Sequence, residues 1–145
     1  MNGAHLHLII SHAPVIGAVV ATVLLALAAW RGTPESCWIA YVATIAVGVA
    51  AVAVYISGGG AEHVVEHMSG IDKQLIENHQ DLAKIAMVGS IILAVGGVIA
   101  LIRPVLSSQR RVIYVALIAS IGLDVLFGIV ANAGGIIRHS EIIGH

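Results

Sequence analysis

Four stretches of this chain, residues 8–30, 38–57, 82–102 and 112–133, contain between them only two charged side chains, Lys84 and Asp124. Each is long enough for a helix to cross a bilayer, which takes roughly 20 residues at about 1.5 Å per residue. In hydrocarbon the backbone must satisfy its own hydrogen bonds, so spans of this length are helices. Composition agrees: 59% of the 145 residues are hydrophobic and 10% charged, whereas a soluble domain carries about a quarter charged residues. The sequence therefore predicts an all-α integral membrane four-helix bundle, forming one domain over residues 1–145. The segment before the first span has no Lys or Arg, and the apolar run is too long for a cleavable signal peptide.

The charges that remain lie at the ends of the spans. Arg31, Arg103, Arg110 and Arg111 fall on one side, which the positive-inside rule assigns to the cytoplasm. This predicts an up-down-up-down bundle with both termini periplasmic, in the inner membrane of a bacterium. Seven Lys and Arg against eight Asp and Glu leave no basic surface for nucleic acid. One cysteine, Cys37, excludes an internal disulfide and any cysteine-rich metal or cluster site.

All eight histidines gather on the side away from the arginines. His5, His7 and His12 open the first span, His63, His67 and His79 lie in or beside the middle link, and His139 and His145 follow the last span. Gly58–Gly60 reads as the end of span two. A short amphipathic helix over Ala61–Met68 follows, with His63 and His67 on one face at i,i+4. Span three then begins outside the membrane, since Ile71, Leu75, Ile76 and Leu82 keep near-helical spacing. Small residues on spans two and three (Ala43, Ala46, Ala50, Gly89, Ser90, Ala94, Gly96, Gly97) permit close helix packing.

His12 lies one turn inside the apolar region and needs a hydrogen bond or a metal, because an unsatisfied polar group in hydrocarbon is costly. His5 is two turns above it on the same face, where, as for His7, interfacial solvation is sufficient. Asp124 is the one acid deep in a span, about 10 Å below its outer end by the helical rise. Its candidate partners are Lys84, in an ion pair, and His12, whose tautomer it would fix. His79, His139 and His67 are placed to aim imidazoles at one outer pocket, and imidazole ligates both metals and haem iron. His63 to His67, with Glu66 between them, also fits the H-x-x-E-H zinc-protease pattern, a five-residue match that the short link leaves without a substrate cleft.

At these residues the chain resembles a family of small four-helix bacterial membrane proteins of uncharacterised function, for which haem binding has been suggested. The likeness lies in His5-Leu6-His7, in His12-Ala13-Pro14-Val15-Ile16-Gly17, and in Glu66-His67-Met68-Ser69-Gly70 leading to Glu77-Asn78-His79. The resemblance implies His12, His67, His79 and His139 as candidate ligands of haem b; the residues themselves add His5 and His63 as further candidates, with Asp124, Lys84 and Glu66 supporting. The widely separated histidine pairs of large respiratory cytochrome b subunits are not seen.

Three functions follow as expectations. The first is a b-type haem-binding electron-transfer subunit with its site near the periplasmic face, working in a larger redox complex with a periplasmic cytochrome or a quinone. The second is a non-haem metal protein holding Zn or Cu through His63, His67 and His79, with His12 as a further candidate. The third is a structural accessory subunit whose histidines sit at an interface, or sense pH there. A c-type attachment is excluded because no Cys-x-x-Cys-His occurs.

Overall fold

The computed structural model describes residues 3–65, 73–103 and 110–138. All the secondary structure among them is helical: α1 (Gly3–Ile10), α2 (His12–Arg31), α3 (Pro34–Val65), α4 (Lys73–Ile102) and α5 (Arg110–Arg138). Four of the helical stretches, His7–Arg31, Pro34–Gly59, Lys73–Ile102 and Arg110–Ile137, are long and apolar enough to cross a membrane. This is the pattern of a multi-pass membrane protein.

Helices α1 and α2 are nearly one rod. They are interrupted at Ser11, although the Ser11 N–H still reaches the His7 carbonyl at 2.8 Å. Pro14 explains the interruption. It has no N–H to offer Ile10, and its ring crowds that carbonyl four residues back. Helix α2 ends at Gly32, whose φ of 67° is left-handed and whose N–H caps the Ala28 carbonyl at 2.8 Å. Thr33 then starts α3, accepting the Ser36 N–H on its hydroxyl at 3.3 Å, and Pro34 fills the first helical position, where no N–H is required.

The expected break at Gly58–Gly60 does not occur, and a second glycine pair does not interrupt its helix either. Helix α3 runs on through Gly58–Gly60 to Val65, and α5 runs through Gly134 and Gly135 to Arg138. Glycine lowers helix stability by about 1 kcal/mol relative to Ala, but does not forbid a helix. Here one glycine of each group is where another helix comes close. A Cβ on Gly58 would meet His7 Cε1 at 3.6 Å, and one on Gly134 would meet His79 Cε1 at 3.1 Å. The separate short helix expected over Ala61–Met68 is thus replaced, up to Val65, by the end of α3; residues 66–72 lie outside the described region. Helix α4 does begin well before the apolar run, at Lys73.

The interior is built from small residues. On α2 the buried positions are Pro14, Ala18, Ala21, Leu25 and Ala28, a 4-3-4-3 stripe, whereas Ile16, Val19, Val23 and Trp30 are exposed. Lipid solvates bulky aliphatics as well as a core does, so packing rather than hydrophobicity selects the inward residues. The closest approach is between α3 and α4. A Cβ on Gly48 would lie 2.6 Å from Ala94 Cβ, and one on Gly97 would lie 2.7 Å from Thr44 Oγ1 and 3.2 Å from the Tyr41 carbonyl oxygen. Helices α2, α3, α4 and α5 each pack on two of the others, closing a ring. One core cluster joins Leu25, Ala28, Cys37, Ala40, Tyr41, Ala100 and Ile113, and a second joins Ala18, Ala21, Val47, Ala51, Ala86, Leu123 and Phe127.

Candidate functional site

Polar side chains on the inward stripes must find partners within the bundle. Two do so on their own helix: Thr44 donates to the Tyr41 carbonyl at 2.8 Å, and Ser90 to the Ala86 carbonyl at 2.8 Å. Three others, His7, His79 and Asp124, bond across to a neighbouring helix.

His7 extends the small-residue stripe of α2 backward, seven residues before Pro14, and so faces α3. Its Nδ1 lies 2.8 Å from Ser57 Oγ, and Ser57 spends its own hydroxyl proton on the Val54 carbonyl at 2.7 Å. Ser57 can therefore only accept, and His7 carries its proton on Nδ1. His79 occupies the corresponding inward position of α4, three residues after buried Ile76 and seven before buried Ala86. Its Nδ1 is 3.1 Å from the Val130 carbonyl oxygen of α5. A carbonyl only accepts, so His79 is also an Nδ1–H tautomer. In the neutral rings both Nε2 atoms keep a free lone pair, the form in which imidazole ligates a metal, with the other nitrogen's bond fixing ring orientation. Each of the two half-buried rings rests against a glycine of the helix it bonds to.

The other candidates are distributed differently. His12 is exposed and turned outward; its Nδ1 is 3.3 Å from the Leu8 carbonyl of its own helix and 3.4 Å from Ser11 Oγ. It shares the lipid-side stripe of Ile16 and Val19 and is not brought to His79. Lys84 is also exposed. Glu66, His67, His139 and His145 lie outside the described residues, as do the side chains of His5 and His63. His7, which the sequence leaves to interfacial water, instead meets Ser57 on α3. The signal was available: His7, Ser11, Pro14, Ala18 and Ala21 share one stripe, while His12 belongs to another.

Asp124 does not meet either expected partner. Its Oδ2 accepts the Thr22 hydroxyl of α2 at 2.7 Å, and Thr22 Oγ1 lies 2.7 Å from Ser120 Oγ. Asp124 stands midway along the 29-residue α5, which continues past Gly134 and Gly135.

Among the described residues no three or more His, Cys, Asp or Glu side chains gather as a metal site. A pair of imidazoles does not suffice for zinc, which takes three or four protein ligands. It does suffice for haem iron, whose other four ligands belong to the porphyrin. His7 and His79 are two such imidazoles among the described residues. Comparison of the chain with protein-family models, with curated proteins and with solved structures finds no match.

Proposed function

We propose that this chain is a membrane-embedded, b-type haem-binding electron-transfer subunit, in which His7 and His79 would hold the haem iron. The observation that carries this reading is the shared tautomer: two inward imidazoles, on α1 and α4, each hold their proton on Nδ1 by a bond to a neighbouring helix and keep Nε2 bare. Haem bound there would supply a one-electron redox centre. The protein's own contribution is to orient the two rings, through Ser57 and Val130, and to surround them with apolar helices that limit water access. The resemblance to small four-helix membrane proteins of haem-binding reputation agrees with this reading. His67, His139, His5 and His63 remain candidates for the same end of the bundle, and His12 for a ligand taken from outside it.

In this proposal the bundle is up-down-up-down. Support comes from His7 lying beside Ser57, from His79 lying beside Val130, and from the core cluster that unites the ends of α2 and α4 with the starts of α3 and α5. The arginine side faces the cytoplasm of a bacterial inner membrane, so the histidine end faces the periplasm. An electron carrier there would exchange with a quinone or a periplasmic cytochrome inside a larger complex.

The experiment is purification of the full chain in mild detergent after haem-supplemented expression, followed by oxidised and reduced visible spectra and a pyridine haemochrome assay. A b-type reduced spectrum at near-stoichiometric haem is expected. A featureless spectrum overturns the proposal, and metal analysis of the same sample then separates a Zn or Cu protein from a structural subunit.

A further inference from the structure

We propose that Asp124, together with Thr22 and Ser120, forms an exchangeable monovalent-cation site at mid-depth in the bundle, taking a proton or Na⁺ in the same place. This site is separate from the histidine pair and does not depend on haem.

The hydrogen-bond directions are fixed. Thr22 has one hydroxyl proton, and it goes to Asp124 Oδ2 at 2.7 Å. The 2.7 Å contact between Thr22 and Ser120 is therefore donated by Ser120. The chain Ser120 to Thr22 to Asp124 ends on one carboxyl oxygen. The other, Oδ1, is buried and has no hydrogen-bond partner among the described residues. An ionised carboxylate accepts several hydrogen bonds; here it receives one among the described residues, at the middle of α5.

No basic side chain among the described residues neutralises it. The helices packed on α5 are α2 and α4. On α2 the titratable groups are His12 and Arg31, at its two ends. On α4 they are Lys73, Glu77, His79, Asp81 and Lys84, all in the half nearer its start. By register Gly89 faces Leu123, since a Cβ on Gly89 would lie 2.8 Å from Leu123 Cδ2. Lys84 thus lies more than a turn away along α4, and it is exposed. His79 is bonded to Val130. On α5 itself Arg110 and Arg111 stand at the start and Arg138 at the end.

An uncompensated charge in hydrocarbon is expensive, and intramembrane carboxylates mark ion and proton pathways. A buried water would supply Oδ1 with a donor but would leave the charge. A divalent ion would leave an excess positive charge and would ask for six or more oxygens. One carboxylate with two hydroxyl oxygens matches a single positive charge. Exchange is electroneutral at the site: Na⁺ enters, the carboxyl O–H bond breaks, and one proton leaves to water for each Na⁺ bound.

The test uses the purified full chain in weakly buffered detergent with choline chloride as background. Proton release on adding NaCl is measured, and infrared difference spectra follow the carboxyl C=O band. Asp124→Asn assigns the band. Thr22→Val, which keeps the carboxyl and removes its donor, shifts the same band and assigns it independently should the first variant not fold. Loss of the band on adding Na⁺, with one proton released per chain, identifies Na⁺ exchange. Loss of the band only on raising the pH identifies the proton as the cation. An Asp124 signal that responds to neither, whether fixed as acid or as carboxylate, overturns the proposal.

Discussion

His79 donates its Nδ1 proton to the carbonyl of Val130 at 3.1 Å, tying the outer part of α4 to α5 and leaving its Nε2 unprotonated. His7 makes the equivalent bond from α1 to Ser57 on α3. The two outer inter-helix bonds made by imidazoles are thus made by the same nitrogen, and both rings keep the same nitrogen free. Any buried ring N–H needs such a partner, and in a ligating histidine the same bond also fixes the orientation of the ring.

The first prediction concerns which histidines hold the pigment. His79→Ala and His7→Ala are expected to lose most of the haem, measured as haem per chain by pyridine haemochrome. His12→Ala, at an outward position, is expected to retain it. Equal retention in all three variants sinks this ligand assignment, and loss in His12→Ala alone moves it to the outer face.

A second prediction comes from the glycine under His79. A Cβ at Gly134 already stands 3.1 Å from the ring, so the larger Gly134→Val displaces the imidazole from Val130. The expected outcome is a helical protein by circular dichroism with a shifted or lost haem spectrum. Gly135→Val is its control, because a Cβ there meets nothing within 4 Å.

Packing between α3 and α4 gives a third. Gly97→Val forces atoms into the space held by Thr44 Oγ1 and the Tyr41 carbonyl, and overpacking of this kind costs about 1–3 kcal/mol. Thermal unfolding in detergent should show a clearly lowered midpoint. Gly96→Val, at an open position, should change it little.

The fourth isolates the Asp124 cluster. Thr22→Val removes the donor to Oδ2 and leaves both carboxyl oxygens without a partner among the described residues. A buried acceptor left unsatisfied costs about 1–3 kcal/mol, while replacing both partners with apolar groups is nearly neutral. The double variant T22V/D124L should therefore unfold at a higher temperature than Thr22→Val alone. The reverse order would show that the hydroxyl does not satisfy the carboxyl in the membrane.

How much of this was legible beforehand depends on the residue. The four apolar runs were, since nearly charge-free segments of that length have few alternatives to a membrane helix. The gathering of histidines at one end was legible by counting. That His7 faces inward and His12 outward was legible in principle from the small-residue stripe, but depth along the span was the feature weighed first. In a membrane bundle depth does not decide orientation; the small side chains do, because they let helices approach.

The sequence by itself determined an all-helical chain with four membrane-length helices, the small-residue stripes, and the placing of Arg31, Arg103, Arg110 and Arg111 at span ends away from His7, His12 and His79. These are properties of single segments, set by hydropathy and by the 3.6-residue repeat. Only the tertiary structure decided that Gly58 and Gly134 continue their helices, that His7 and His79 take the Nδ1–H form, and that Asp124 bonds Thr22 instead of Lys84 or His12. Each of those depends on which side chain of a distant segment lies within 3 or 4 Å, and no local pattern carries that information. A glycine reads as a break in isolation and as a seat for an imidazole once the neighbouring helix is in place.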